Sequence, residues 1–557
     1  MKRILNRSMV KFRTQYLRSK SGSSGIFILF LVCWQVSNLA LAQLPVFADP
    51  ENKSYTGAGA SAAGIEVPAM PKRELRGVWV ATVANIDYPL KPTPDAVALQ
   101  REWLNMLDLF ERSGLNAVFV QIRPASDALY PSRLAPWSRY LTGKQGRAPE
   151  GNWDPLAFMI ATAHERNFEF HAWLNPYRAL NDTDTSSLAP GHVFHTHRDW
   201  ILKYGPKYYL NPSLPEVRAH LVEVVEEIIE NYAVDAIHMD DYFYPYRIAG
   251  EEFPDAADFA RYGRGFARID DWRRHNVDTL IAMLHQRIKS LRPGVEFGIS
   301  PFSVWRNQDR DPAGSPTRAG QTNYDDLYAD IRKWLKEGWI DYVVPQLYFH
   351  IGFDLVDYEK TLKWWYDNAF GAKLYVGMAA YRVGSDRAQQ WQEPDQIPRQ
   401  LRLNRSLENV HGHVFFSAKQ LFQNPLGLTD SLANAFFPTP ALFPQRKGYE
   451  TIPLPRPKLQ SVRQTKSGLE LSWKSGNSGN SPGHWVVYRF PDGQKPDIAY
   501  PGSILEILPA RNLKGKVIFT DTNVEKGMKY QYLLTGLDQN YKESEPSPTV
   551  KSKRFSK

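Results

Sequence analysis

Two rhythms of apolar residues run along the chain between Arg73 and about Phe443. Short continuous apolar runs alternate with stretches in which apolar side chains recur every three or four residues. This alternation is the βαβα pattern of a parallel sheet covered by helices. The short runs predict eight strands: Gly77–Val83, Ala117–Arg123, Glu169–Asn175, Ala236–Asp241, Glu296–Phe302, Tyr342–Phe349, Lys373–Ala380 and His413–Ser417. Start signals predict the helices between them. Thr93-Pro94 precedes Trp103, Leu107 and Phe110 at helical spacing, and Asp154-Pro155 opens the next helix. Ser213 with Glu216 reads as a capping box ahead of Val217, Leu221, Val224 and Ile228. Asp271 opens a helix bearing Val277, Leu280, Leu284 and Ile288, and Asn323 one bearing Leu327, Ile331 and Trp334. Eight strands with intervening helices predict an α/β fold, a (β/α)8 TIM barrel enlarged by its loops, over residues 73–443. An open doubly wound sheet is the alternative; no Gly-rich phosphate loop follows the first strand to support it.

After Phe443 the rhythm changes. Pro444, Pro453, Pro455 and Pro457 predict a stiff linker over 444–457. Residues 458–557 then carry short strands, Leu469–Trp473, Trp485–Tyr488, Val517–Thr520 and Tyr530–Leu534, separated by turn-forming stretches. That pattern predicts a small all-β sandwich. At the other end, a basic segment leads into the apolar run Ile26–Val32, and Ala40-Leu41-Ala42 makes a small-x-small cleavage site before Gln43. Residues 1–42 therefore read as an export signal, with Met9 as an alternative start and an uncleaved anchor as the alternative reading. Cys33, the one cysteine, follows Val32, not the small residue a lipid-attachment site prefers. Residues 43–72, with Gly57-Ala58-Gly59-Ala60, read as a flexible tether. The expectation is a periplasmic or secreted protein without a stable membrane span after cleavage.

Charge changes the picture less than it first suggests. The formal net charge is +9, but seven cations (Lys2, Arg3, Arg7, Lys11, Arg13, Arg18 and Lys20) and no acids lie in the first 42 residues, leaving +2 for the remainder. No dense basic patch suits a nucleic-acid backbone. Aromatic content of 13%, with 16 Trp, is common in carbohydrate-active proteins and equally in large Trp-rich cores.

The most telling stretch is Asp235-Ala236-Ile237-His238-Met239-Asp240-Asp241-Tyr242-Phe243-Tyr244. An apolar strand ends there in two carboxylates followed by aromatic rings, and barrel chemistry sits at the C-terminal ends of strands. Other predicted strand ends are polar at every second position: Gln121 and Arg123; His171, Trp173 and Asn175; Gln346, Tyr348 and His350. Asn85, Asp87, Asp127 and Arg178 follow close behind strand ends. Buried polar groups cost a few kcal/mol when unpaired, so a purely structural barrel would fill most of these places with apolar side chains. Glycoside hydrolysis needs two carboxyls, about 5–5.5 Å apart for retention and about 6.5–9.5 Å apart for inversion. Asp240 is the choice for nucleophile or charge stabiliser, kept ionised by Arg123 or by a protonated His238. Asp241, Asp87 and Asp127 are open as the acid, with Asp309 and Asp311 behind them. Asp241 equally reads as a loop cap, and His171 and His238 as satisfied core histidines. Tyr242, Phe243, Tyr244 and Tyr246 read either as sugar platforms or as loop packing.

At these residues the chain resembles the bacterial glycosyl-hydrolase-like family 10. The resemblance rests on Arg76-Gly77-Val78-Trp79-Val80, Asn85-Ile86-Asp87-Tyr88-Pro89, Gln121-Ile122-Arg123-Pro124, Trp173-Leu174-Asn175-Pro176-Tyr177-Arg178, His238-Met239-Asp240-Asp241-Tyr242 and Val344-Pro345-Gln346-Leu347-Tyr348. It implies a (β/α)8 barrel that hydrolyses glycosidic bonds, and for some members cleavage of peptidoglycan strands stripped of their peptides. The C-terminal sandwich resembles a fibronectin type III module. The expected partner is therefore cell-wall glycan, with no cofactor. Two other readings stay open. One is a metal-dependent deacetylase or amidase using His171, His238, Asp240 and His350. For that reading no His-Glu-x-x-His pair is present, and His195-Thr196-His197 with nearby His192 falls in a long connection. The other is a non-catalytic glycan-binding barrel.

Overall fold

The structure is a computed structural model and describes residues 70–450, 452–474, 481–510 and 515–556. The expected export signal, Cys33 and the tether up to residue 69 lie outside the described residues.

Eight parallel strands close into a barrel: β1 (Leu75–Val80), β2 (Ala117–Arg123), β3 (Glu169–Leu174), β4 (Ala236–Met239), β5 (Glu296–Ile299), β6 (Tyr342–Val343), β7 (Lys373–Met378) and β8 (Val410–Phe415). Each strand pairs with its sequence neighbours, and β1 closes on β8 with Leu75 opposite Gly412 and Val78 opposite Phe415. The strands are buried on both faces, which is why they read as continuous apolar runs. Helices cover the outside, chief among them Ala96–Arg112, Pro155–Glu165, Pro215–Asn231 and Ile269–Leu291.

Several helix starts differ from the sequence reading. Asp154 does cap Pro155–Glu165, accepting from the Ala157 amide. The first helix is capped by Asp95 instead of Thr93, since its carboxylate takes the Val97 and Ala98 amides. Ser213 forms no capping box: its hydroxyl bonds Asn211, and Leu214 holds the cap position. Asn323 opens no helix either. Its amide bonds the Phe302 and Val304 carbonyls and pins a loop, and the helix begins at Ile331 under an Asp330 cap. Thr93 and Asn323 found other backbone partners and Ser213 found a side chain. A small antiparallel sheet, Arg178–Leu180, Ile201–Tyr204 and Lys207–Leu210, sits in the connection between β3 and β4.

The barrel interior holds a polar chain. The Trp79 indole N–H can only donate, so His238 Nε2, 3.3 Å away, accepts, and the His238 proton lies on Nδ1. Nδ1 then donates to the Tyr342 hydroxyl (3.1 Å), Tyr342 donates to His171 Nδ1 (2.8 Å), and His171 Nε2 donates to Glu169 (3.0 Å). Every member has a partner, so none carries the cost of an unsatisfied buried group, about 1–3 kcal/mol each. Glycine makes room for this chain: a Cβ on Gly298 of β5 would stand 2.0 Å from the Tyr342 ring.

Five carboxylates ring the N-terminal rim of the barrel. Glu74 meets Arg76, Arg405 and His413; Glu296 meets Lys373; Asp341 meets Lys289. Glu169 and Asp235 share Arg446, which reaches them from beyond the last barrel helix. Arg446 lies within the stretch 444–457 that reads as a stiff linker. Leu442 and Phe443 pack in one apolar cluster with Val486, Tyr488, Leu533 and Tyr541, and the Arg446 guanidinium lies 4.7 Å over the Tyr541 ring. The C-terminal sheets that these residues meet are three-stranded (Leu459–Gln464, Leu469–Lys474, Lys516–Asp521) and four-stranded (His484–Pro491, Ile504–Pro509, Tyr530–Leu537, Val550–Lys551). They share a core of Leu471, Trp473, Trp485, Val487, Tyr532 and Leu534. Among the described residues no helix is long and apolar enough to cross a membrane.

Candidate active site

Strand β4 leaves the ladder after Met239, and Asp240 and Asp241 occupy the turn that follows. Asp240 is 5% exposed and Asp241 3%. Neighbouring strand ends hold the two carboxyls from different sides. From β3, the Trp173 indole N–H (3.2 Å) and the Asn175 amide donate to Asp240 Oδ2. Among the described residues, Asp240 Oδ1 accepts the Tyr242 backbone N–H, at 3.3 Å. Asp241 accepts from the Tyr246 hydroxyl at Oδ2 and from Gln346, which follows β6. Asn175 is fixed in turn by Gln121 of β2, 2.5 Å away, and by Arg178 at 3.1 Å. Gln121 accepts the Thr82 and Val83 amides beyond β1, so three loops converge on the orientation of one carboxylate.

Burial first, and the charge of Asp241 second, push Asp240 up to about 7. Asp241 is raised as well, by burial, against the Tyr246 hydrogen bond. Carboxyls this close titrate as a unit, so the upper value belongs to the last proton the pair gives up. Arg178 is the cation that acts on both, and its guanidinium lies 4.8 Å over the Tyr242 ring. Half-buried rings surround the pair: Tyr242, Tyr246, Tyr348, Tyr381 and Phe416. Tyr348 stands 5.6 Å from Tyr381 and 6.1 Å from Phe416, edge and face together. Such a pair can hold one proton for a leaving group and one negative charge for a developing cation.

Of the residues expected at the site, Trp173, Asn175, Arg178, Tyr242, Gln346 and Tyr348 gather around Asp240 and Asp241. The others do not. Arg123 was expected to share a face with Gln121 and to keep Asp240 ionised. A bulge between Gln121 and Arg123 breaks the alternation. Arg123 instead acts on Tyr130, His192 and His220, the last on the outer helix Pro215–Asn231. His171 and His238 are fully buried in the interior chain, and burial holds His238 well below its ordinary value, so it offers no charge to Asp240. Asp87 accepts from the Ala81 amide, the Ser417 hydroxyl and the Lys419 amide, tying the loop after β1 to the loop after β8. Asp127 caps its own loop through the Ala125 amide and Ser138. Tyr244 is buried against Phe253 and Tyr328, so it packs its loop and presents no platform. His350 lies in a loop beyond β6 with Nδ1 near the Ile351 carbonyl. Among the described residues no three His, Cys, Asp or Glu side chains are placed to share a cation. Tyr246, weighed as a sugar platform or as loop packing, bonds a carboxyl directly. Tyr381 and Phe416 were missed, although Tyr381 directly follows the predicted strand Lys373–Ala380 and Phe416 lies near the end of the predicted strand His413–Ser417.

The sequence profile of the family described as Glycosyl hydrolase-like 10 matches residues 74–393. The chain belongs to this family. It is an enzyme of the glycoside hydrolase class. Glycosyl hydrolase YngK of Bacillus subtilis (strain 168) is 44% identical over 87% of this chain and 95% of its own length. Glycosyl hydrolase DigH of Escherichia coli (strain K12) is 39% identical over 64% of this chain and 86% of its own. The PgaB (BpsB) glycoside hydrolase domain of Bordetella bronchiseptica aligns with 66% of this chain and 99% of its own, at 13% identity and a TM-score of 0.43.

Proposed function

We propose that this glycoside hydrolase cleaves the glycan of the bacterial cell wall, with peptide-free peptidoglycan strands as its substrate and Asp240 and Asp241 as its catalytic pair. The observation that carries the reading is the isolation of that pair. The charged groups that act most strongly on Asp240 are Asp241 and Arg178, and rings line the approach. Flat apolar faces suit pyranose rings, and a shared proton suits departure of a sugar hydroxyl. The similarity to DigH and YngK, both glycosyl hydrolases, supports hydrolysis of a glycosidic bond. An exported protein in the periplasm or outside the cell, with its C-terminal sheets as a fibronectin type III-like positioning module, fits that substrate.

Asp240→Asn tests the assignment. The variant keeps the hydrogen-bonding shape of the side chain and loses the charge. Release of reducing ends from peptide-free strands is expected to fall by at least about 100-fold, while strand binding and the circular dichroism spectrum are retained. A variant that cleaves at the wild-type rate removes Asp240 from the mechanism.

A further inference from the structure

We propose that the nucleophile in this site is the substrate's own 2-acetamido group, with Asp240 receiving its N–H and Asp241 serving as acid and then base. The inference rests on the proposed glycan hydrolase reading and narrows it. The sugar on the non-reducing side of the cleaved bond must carry a 2-acetamido group trans to the leaving oxygen.

The argument starts from where the carboxyls are. Direct displacement by a carboxylate places the nucleophile on one face of the sugar and the acid on the side of the leaving group. Asp240 and Asp241 are consecutive residues of one strand end and approach from the same wall of the barrel. Trp173 and Asn175 draw Asp240 toward β3, while Tyr246 and Gln346 engage Asp241. The other described carboxylates weighed as the acid are placed elsewhere: Asp311 pairs with Arg306, Asp309 is exposed, and Asp87 and Asp127 are engaged in their own loops. Asp87 accepts three hydrogen bonds and Asp127 two. A nucleophile carried by the substrate removes the need for a carboxylate on the far face.

The two aspartates are equipped unequally, in the way this chemistry requires. Asp240 is surrounded by donors: Trp173, Asn175, the Tyr242 amide and the Arg178 charge. That environment favours the carboxylate. Its Oδ2 already takes two N–H groups, so Oδ1, with one long contact at 3.3 Å, is the atom left for a substrate N–H. The groups around Asp240 are N–H donors and can only donate, whereas the Tyr246 hydroxyl beside Asp241 can accept as well as donate, so Asp241 is the carboxyl placed to carry the shared proton. In the first step the acetamido oxygen bonds to C1 as the C1–O bond to the leaving sugar breaks. The departing oxygen takes the Asp241 proton, and the N–H of the resulting oxazolinium ring, now positively charged, is held by Asp240. In the second step Asp241 takes a proton from water, the water oxygen bonds to C1, and the C1–O bond to the acetamido oxygen breaks, restoring the amide. The balance is one water consumed, one glycosidic bond cleaved, and the C1 configuration retained. An internal nucleophile also carries the advantage of intramolecular reaction.

The test uses the full chain and three probes. The first is peptide-free peptidoglycan strands, with the first-formed anomer followed by proton NMR. The second is the same strands after chemical de-N-acetylation. The third is a thiazoline analogue of the cleaved sugar, a stable mimic of the oxazolinium ring. Retention, loss of cleavage on de-N-acetylated strands, and thiazoline binding at least about 100-fold tighter than the parent sugar are expected. An aryl glycoside whose leaving group needs no proton should restore the first step, read as kcat/KM for release of the aryl group, to Asp241→Asn but not to Asp240→Asn. Inverted product, unchanged cleavage of de-N-acetylated strands, or thiazoline binding no tighter than the sugar overturns the acetamido mechanism while leaving the hydrolase reading intact. No reducing ends from acetylated strands overturns both.

Discussion

Asp240 and Asp241 share one proton near neutral pH because they are buried together, and this fixes how the site answers to pH. A leaving sugar needs the protonated carboxyl. The pair gives up its last proton at about 7, so the acid is lost as pH rises through that value and kcat is expected to fall on the alkaline side of about 7. Tyr246 sets the position of that limb. Its hydroxyl donates to Asp241 and favours the ionised form. Tyr246→Phe removes the donor, so the limb is expected to move to higher pH by up to about one unit. A pH profile of kcat on peptide-free strands measures it; a limb that stays put would mean Tyr246 only packs. The pair itself was legible in the sequence, as two carboxylates closing a strand and opening an aromatic loop. Tyr246 was not legible as a partner, because nothing in the spacing of a loop says which way a hydroxyl turns.

At the scale of elements, strand existence was readable and strand ends were not. All eight barrel strands lie within a few residues of their apolar runs, because burial on both faces writes a continuous signal. The run Tyr342–Phe349 nevertheless yields a ladder of only Tyr342–Val343, with Gln346 reattached by isolated bridges to Phe302 and Gly377. That departure from the ladder is what allows Gln346 to reach Asp241. The small sheet between β3 and β4 escaped notice because strands of three or four residues carry too few positions for a period. The bulge in β2 misled most, since one extra residue reversed Arg123. Two predictions belong to these elements. Arg178→Gln removes the cation that favours ionisation of the pair and should move the alkaline limb upward by about one unit, whereas Arg123→Gln should leave it in place. The opposite ranking would mean that the strand alternates without a bulge. Gly298→Ala places a methyl where the Tyr342 ring lies. It should break the His171–Tyr342–His238 chain and cost about 1–3 kcal/mol, read as a lower midpoint in chemical denaturation, whereas Ala at exposed Gly191, where an added methyl meets nothing, should be nearly neutral by comparison.

For the whole molecule, the decisive contact is one the composition could not announce. Pro-rich stretches usually mark spacers, and the run from Pro444 reads as one, yet Arg446 within it carries the positive charge shared by Glu169 and Asp235. These carboxylates sit at the starts of β3 and β4, the same strands whose far ends hold Asn175 and Asp240. Glu169 is held down at about 2, against its own burial, by Arg446 first and His171 next, and Asp235 is lowered by His164 and Arg446. Their stabilising ionisation is present above the ordinary carboxylate range and is lost only in strong acid. Arg446→Met would leave Asp235 with His164 and the Phe170 amide, and Glu169 with His171 and the Tyr541 hydroxyl, without their shared guanidinium and inside a rim with almost no access to water. Breaking a buried ion pair by removing one partner costs about 3–5 kcal/mol. The barrel is therefore expected to lose that much stability from a substitution outside its last helix, and Arg446→Lys, which keeps the charge without the planar fork, should recover part of it. Denaturation followed by barrel tryptophan fluorescence measures the effect. If Arg446→Met unfolds where the wild type does, the segment is a tether and the C-terminal sheets ride on the barrel without supporting it. If it unfolds earlier, the β-sheet module completes the floor of the enzyme, and cutting the chain after Phe443 should yield no stable barrel.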